Sequence, residues 1–428
     1  MTITITRAVG REILDSRGRP TVEAELELDD GRIVAASVPS GASTGSHEAV
    51  ERRDGDPARY RGLGVRDAAA AIGAEIDPVL RGLPAIGAVI DRVLLELDGT
   101  PGKSRLGANA VLAVSLAAAR AEALVAGVPL WRHLAGPEPL LPLPMVNMIS
   151  GGLHAGRQLD FQDFLVMPVG AESYRQALEW TGDVHAALAE ELAARGHSLL
   201  KADEGGFGPA LGSNREALDV LDAAVERAGR ALGSEIAYAV DVASTHFHDP
   251  AGGTYRLRSE DRELSASGMV RLLERMVAEH PVISIEDGLA EDDWEHWPEL
   301  VARLGDRVQI VGDDLFVTHP ARVRRGVETG AANAVLVKMN QIGTITETAE
   351  VVELARAHRF ATVISARSGE TEDPALADLA VGWRGGQIKI GSITQSERLA
   401  KYNQLLRIEE ALGDAAVFAG PSALGRTS

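Results

Sequence analysis

The stretch VISIEDGLAEDDWEHWPELVARLGDRVQIVGDDLFVTHPARVRRGVETGAANAVLVKMN, residues 282–340, decides the fold. It contains three short apolar runs, Val282–Glu286, Val308–Gly312 and Ala334–Lys338, with longer helical segments between them. Strand and helix in repeated alternation build a parallel sheet, because a parallel neighbour can be reached only by a crossover connection. Working outward, Met145–Ile149, Phe164–Val169 and Ile236–Val242 precede these runs, and Ala361–Ser365 and Gln387–Ile390 follow them. Eight such strands predict an α/β barrel. Each later strand ends in a polar residue: Asp241, Glu286, Asp313, Lys338, Arg367 with Ser368, and Lys389. A parallel barrel carries its site at the carboxyl ends of its strands, so these residues are expected at one mouth. Helix capping would account for an Asp or a Ser there. It does not account for lysines, which a helix N-terminus repels.

Asp241, Glu286 and Asp313 offer oxygen only, a donor set that suits Mg²⁺. A divalent ion beside a lysine points to proton abstraction next to a carboxylate, with the metal holding the charge of an ene-diolate. The lysine must be neutral to act, and Lys389 and the metal are expected to lower its pKa. Arginine could not substitute. Lysine is otherwise scarce: of 43 basic residues only Lys103, Lys201, Lys338, Lys389 and Lys401 are lysine, so each invites a reason.

Composition bounds the rest. The 428 residues are 45% hydrophobic and 25% charged, as in well-cored globular domains. A net charge of −19 argues against a nucleic-acid or anionic-membrane partner. The absence of cysteine excludes disulfides and thiolate chemistry and is compatible with a reducing cytoplasm. The N-terminal residues lack the apolar core of a signal peptide, and the run Ala108–Gly127 is expected to be a closely packed buried helix.

Ahead of the barrel, residues 1–135 read as an α+β unit. Strands are expected at Thr2–Ile5, Thr21–Leu28 and Arg32–Val38, followed by helices from about Asp67 to Gly127. The proline-rich Gly136–Pro144 is the expected linker to a barrel spanning 140–428. Three loops stand out. Ser40–Gly45 is flexible and rich in backbone donors. Gly151–Gly156 brings His154, and Asp203–Gly206 brings Glu204, which could be a general acid if burial raised its pKa. Taken alone, the last reads as a solvated turn.

With these segments assembled, the chain resembles the enolase family over nearly its whole length. The matching segments are DSRGRPTVE (15–23), SGASTG (40–45), GANAVLAVSLA (107–117), DEGG (203–206), SIEDGL (284–289), VGDDLFVT (311–318), NQIGT (340–344), RSGETED (367–373) and KYNQLLRIEEALG (401–413). The resemblance implies an α+β capping domain and a modified (β/α)8 barrel of the TIM type, with its second strand antiparallel. It also implies dehydration of 2-phosphoglycerate to phosphoenolpyruvate in glycolysis. By the same resemblance Lys338 takes the C2 proton, and Glu204, assisted by Asp163, protonates the departing hydroxyl. Asp241, Glu286 and Asp313 hold one Mg²⁺, and Ser43 helps with a second. Arg367 and Ser368 hold the phosphate, Lys389 the carboxylate, and Gln162 and His154 complete the closed site. A homodimer, or an octamer built from such dimers, is implied as well.

The departures from the family pattern raise a second reading. Ala366 stands where a histidine is usual, Asp163 where glutamate is, Ala202 where glycine is, and Ile390 where threonine is. Space at Ala366 and the charge of Arg157 suggest a paralogue making carboxyphosphonoenolpyruvate in phosphonate or phosphinate antibiotic biosynthesis. A third reading, a non-catalytic scaffold, is opposed by the presence of Lys338, Glu204 and all three carboxylates.

Overall fold

A computed structural model describes residues 2–135 and 138–425. Three antiparallel strands come first: β1 (Ile5–Leu14), β2 (Pro20–Leu28) and β3 (Ile33–Ser37). The first is not where the sequence pattern put it. Alternation at Thr2–Ile5 looks like a strand, yet the paired segment starts at Ile5, and Thr4 instead bridges Pro84. β1 is an edge strand with few fully buried positions, so burial imposes no clean alternation on it. The turn after it is held by Asp15, which accepts from the backbone N–H groups of Arg17 and Arg19 at 2.8 and 2.9 Å.

The helix Ala108–Ala126 packs on β2 and β3 as the core element of this unit. It is long and apolar enough to cross a membrane, but its alanine-rich surface lies mostly buried against its neighbours. Small side chains let it approach the sheet closely. The described part of the proline-rich connection bends at Glu138 and bridges Phe418 through Leu141, while Gly136 and Pro137 of the expected linker lie outside the described residues.

The barrel is closed by eight strands: β4 (Leu143–Ser150), β5 (Asp163–Met167), β6 (Ala237–Asp241), then β10 (Val282–Glu286), β11 (Gln309–Gly312), β12 (Ala334–Val337), β13 (Ala361–Ser365) and β14 (Gln387–Gly391). Between β6 and β10 a small antiparallel sheet forms from β7 (His248–Asp249), β8 (Thr254–Leu257) and β9 (Arg262–Ser265). β5 runs antiparallel to both neighbours, and β14 closes onto β4 in parallel. Leu143, Met145, Leu165, Val311, Leu336 and Val363 fill the interior. Outside, the ring of Phe316 sits so close to Gly312 on β11 and Gly326 on the helix Pro320–Thr329 that a Cβ at either would lie 2.6 Å or less from it. These two glycines set how closely strand and helix pack.

Candidate active site

Register brings the strand-terminal residues together. Asp163 pairs with Asp241, Asp241 with Glu286, and Ser365 with Lys389. Lys338 occupies the residue before the helix Met339–Ile342 and makes no capping bond, so capping does not explain it. A cavity of about 20 Å³ is lined by Ser43, His154, Gln162, Glu204, Asp241, Lys338, Ser365, Ala366, Arg367, Ser368 and Lys389. All but two of these residues, Ser365 and Ala366, were assigned site roles from the sequence. The volume holds about one water.

The two lysines are held by carboxylates. Lys389 Nζ lies 2.8 Å from Asp241 Oδ2 and 2.7 and 2.8 Å from the two oxygens of Glu286. Lys338 Nζ pairs with Asp313 Oδ2, whose other oxygen accepts from Gln341 Nε2 at 2.9 Å. Burial works against the charge on both lysines, but the facing carboxylates win and raise their pKa values. The expected lowering of Lys338 is therefore not produced by the protein's own charges: Asp313 outweighs Lys389. Glu286 is pushed well up by burial and by Asp241, while Asp241 is pulled down against burial by Lys389.

Glu204 is buried, not in a solvated turn. Its loop needs Gly205, whose φ is +85° and whose Cβ would lie 3.0 Å from Thr394 Oγ1. Burial acts to raise the Glu204 pKa, as the sequence suggested, but His154, Arg398, Lys389 and Lys338 overcome it and leave it lowered. Asp163 does not reach Glu204 directly. It accepts from Ser150 Oγ at 2.7 Å and meets His154 Nδ1 at 2.8 Å, while His154 Nε2 lies 3.9 Å from Glu204 Oε1. The imidazole thus stands between the two carboxylates. Burial disfavours its charge, yet Asp163 and Glu204 push its pKa up to about 9.

The Ser40–Gly45 loop closes over Arg367 and Ser368. Gly41 approaches Arg367 so closely that a Cβ would lie 2.1 Å from Nη2. Ala42 N donates to Ser368 Oγ at 2.7 Å, and Arg367 Nη2 donates to the Ser43 carbonyl at 2.6 Å. Ser43 Oγ lies 2.7 Å from His246 Nε2. The Arg367 guanidinium is also taken by Glu48 at 3.0 and 3.1 Å and by Asn340 Oδ1 at 2.9 Å.

Glu48 was not singled out in the sequence, nor was Arg398. Arg398 is fully buried and donates to the carbonyls of Arg367, Ile390 and Ser368 at 2.6, 2.9 and 2.7 Å. Asp287 is a third omission, accepting from the N–H groups of Asp313 and Asp314 at 2.9 and 2.8 Å. DSRG has a visible task, since Arg17 reaches Ser368 Oγ at 3.1 Å and the Ser40 carbonyl at 2.9 Å. Arg157 is exposed and lines a separate cavity of about 190 Å³ with Arg256 and Arg258, away from Ala366.

The remaining lysines have partners too. Lys103 pairs with Glu347 at 2.7 Å and Lys401 with Glu370 at 2.9 Å. Lys201, unexplained by sequence, lies 2.9 Å from His185 Nε2 and 3.1 Å from the Phe207 ring centroid, bracketing the Glu204 loop.

The oxygen donors of Asp241, Glu286 and Asp313 fit a hard divalent cation, and Gln162 Oε1 is a buried oxygen with no partner. Among the described residues Asp241, Glu286 and Asp313 do not bring their oxygens within 4.8 Å of one another, whereas the buried Asp287, Asp313 and Asp314 do.

Two family models match the chain. One, described as Enolase, N-terminal domain, covers residues 5–134; the other, described as Enolase, C-terminal TIM barrel domain, covers residues 138–426. The chain is 52% identical over 427 residues to a protein named Enolase from Kineococcus radiotolerans, covering 99% of this chain and 98% of that one. It is 53% identical over 413 residues to one from Rubrobacter xylanophilus, covering 96% of each. It is 53% identical over 425 residues to another, from Acidothermus cellulolyticus, covering 99% of this chain and 98% of that one.

Proposed function

The chain belongs to the enolase family, and from that premise we propose that its own site carries out the family reaction, dehydration of 2-phosphoglycerate to phosphoenolpyruvate. It is a hydro-lyase. The observation that carries the reading is the cavity that brings Lys338 and Glu204 together with Arg367, Ser368 and Lys389. Identity of 52–53% to proteins named Enolase does not favour the carboxyphosphonoenolpyruvate reading. The position of Arg157 outside the cavity removes the charge that reading relied on.

In this proposal Lys338 removes the C2 proton. Glu204 delivers a proton to the leaving hydroxyl, resupplied through His154, which Asp163 orients. Arg367 and Ser368 hold the phosphate once Glu48 gives way, Lys389 and Gln162 orient the carboxylate end, and the Ser43 loop excludes water. Two Mg²⁺ ions, the first on Asp241, Glu286 and Asp313 and the second near Ser43, would supply the positive charge that stabilises the carboxylate dianion. The division into a capping unit, 1–135, and a barrel, 140–428, cytoplasmic location and assembly as a homodimer or a dimer-based octamer belong to the same proposal.

The test is absorbance of the enolpyruvate product after adding 2-phosphoglycerate and Mg²⁺ to purified protein. Turnover at rates of about 1–10³ s⁻¹ is expected. Failure to turn over 2-phosphoglycerate would overturn the assignment.

A further inference from the structure

At the barrel end opposite the mouth, a buried imidazole nitrogen and a carboxylate oxygen face each other across a gap. The helix Asn214–Arg227 presents Asp219 and Asp222 three residues apart, hence on one face. His280 lies just before β10 and is 6% exposed. Its Nδ1 lies 2.7 Å from Asp222 Oδ2, and Asp222 Oδ1 accepts from the Tyr238 hydroxyl at 3.0 Å. A carboxylate accepts only, so Nδ1 carries the proton that faces Asp222, and Nε2 faces the other way. There Nε2 is buried, without a hydrogen-bond partner, and 3.7 Å from Asp219 Oδ1. That separation is too long for a hydrogen bond.

We propose that His280 Nε2 and Asp219 form a site for a zinc-class divalent cation, oriented by Asp222 and Tyr238 and separate from the catalytic centre. His280, Asp219 and Asp222 each offer a donor atom, and these atoms all lie within 4.8 Å of one another. A metal about 2.0–2.2 Å from each of Nε2 and Oδ1 would span the gap at an angle of about 125°, leaving its remaining positions to water. Asp222 on the far ring nitrogen is the carboxylate–histidine–metal arrangement that fixes tautomer and ring orientation. An imidazole donor selects Zn²⁺ or Co²⁺ over Mg²⁺, which prefers oxygen alone. The nearest cation on the helix, Arg215, is paired with Glu279 at 3.3 Å.

The test is titration of the full-length protein with Co²⁺ in saturating Mg²⁺, following the visible d–d absorbance, with Zn²⁺ calorimetry in parallel. One Mg²⁺-resistant equivalent is expected. His280→Gln should abolish it, Asp219→Asn should weaken it by about tenfold or more, and turnover should be unchanged in both. If His280→Gln fails to fold, Asp219→Asn, at an exposed carboxylate, carries the test. A wild type with no Mg²⁺-resistant equivalent would overturn the proposal, as would variants that retain it at full affinity. So would nitrogen NMR showing both His280 ring nitrogens protonated at neutral pH and unmoved by Zn²⁺, since a proton would then fill the gap.

Discussion

Lys338 is embedded among carboxylates and cations, and its pairing with Asp313 defines what its loss should do. Lys338→Ala is expected to reduce kcat by about 10²–10⁴-fold and to stop exchange of the substrate C2 proton with solvent, read by NMR in deuterium oxide. Exchange that persists would identify a different base. Arg398 makes a separate prediction, because its planar fork satisfies three carbonyls that a lysine cannot reach together. Arg398→Lys should loosen the backbone of Arg367 and Ser368 and raise KM for 2-phosphoglycerate more than it lowers kcat, as steady-state kinetics would report. The legibility of these residues differs for a physical reason. Asp241, Glu286, Asp313 and Lys338 were readable because each ends or follows a strand, and strand ends in a barrel converge; Lys389 stands two residues before the end of its strand and stood out as a charge inside an apolar run. Glu48, Asp287 and Arg398 act through contacts between distant segments, and no local spacing marks them.

Among the elements, the barrel strands were readable within a residue or two because burial makes them continuous apolar runs. β1 was misplaced because an edge strand carries no such constraint. The antiparallel direction of β5 came from resemblance, since five buried residues look alike in either direction. The helix Ala375–Gly382 carries a polar residue that its packing penalises: Asp378, buried and bonded to Gln404 at 3.1 Å. Burial raises its pKa to about 6. A carboxyl raised in the folded state contributes stability that is fully present below its unfolded pKa, near 4, and is lost as pH rises through about 6. Asp378→Asn keeps an acceptor for Gln404. It should be more stable than the parent at pH 7–8 by on the order of 2 kcal/mol and similar to it near pH 4, measured by urea unfolding across that range. Equal pH dependence in the two proteins would refute the burial argument.

Across the whole molecule, the N-terminal unit is fastened to the barrel by polar contacts: Lys103 to Glu347, Arg120 to Asp373, and Arg17 to Ser368. These anchors flank the loop bearing Ser43, so it closes between fixed points. The mouth gathers the cations Lys338, Lys389 and Arg367, each already paired with a carboxylate: Asp313, Asp241 with Glu286, and Glu48. Within that mouth Glu48 already sits on Arg367 as an internal surrogate for an oxyanion. Any incoming phosphate competes with a tethered rival, and Lys389 has rivals of its own in Asp241 and Glu286. A ligand that displaces only one of them bears the cost of opening the loop without recovering the other contact. Inorganic phosphate and a simple hydroxy acid, titrated separately by calorimetry, should therefore each bind far more weakly than their shares of 2-phosphoglycerate affinity, and fragments that sum to the parent affinity would contradict this. Selection would then rest on completeness: a molecule holding both anionic ends at the right separation recovers both contacts, and half of it recovers one.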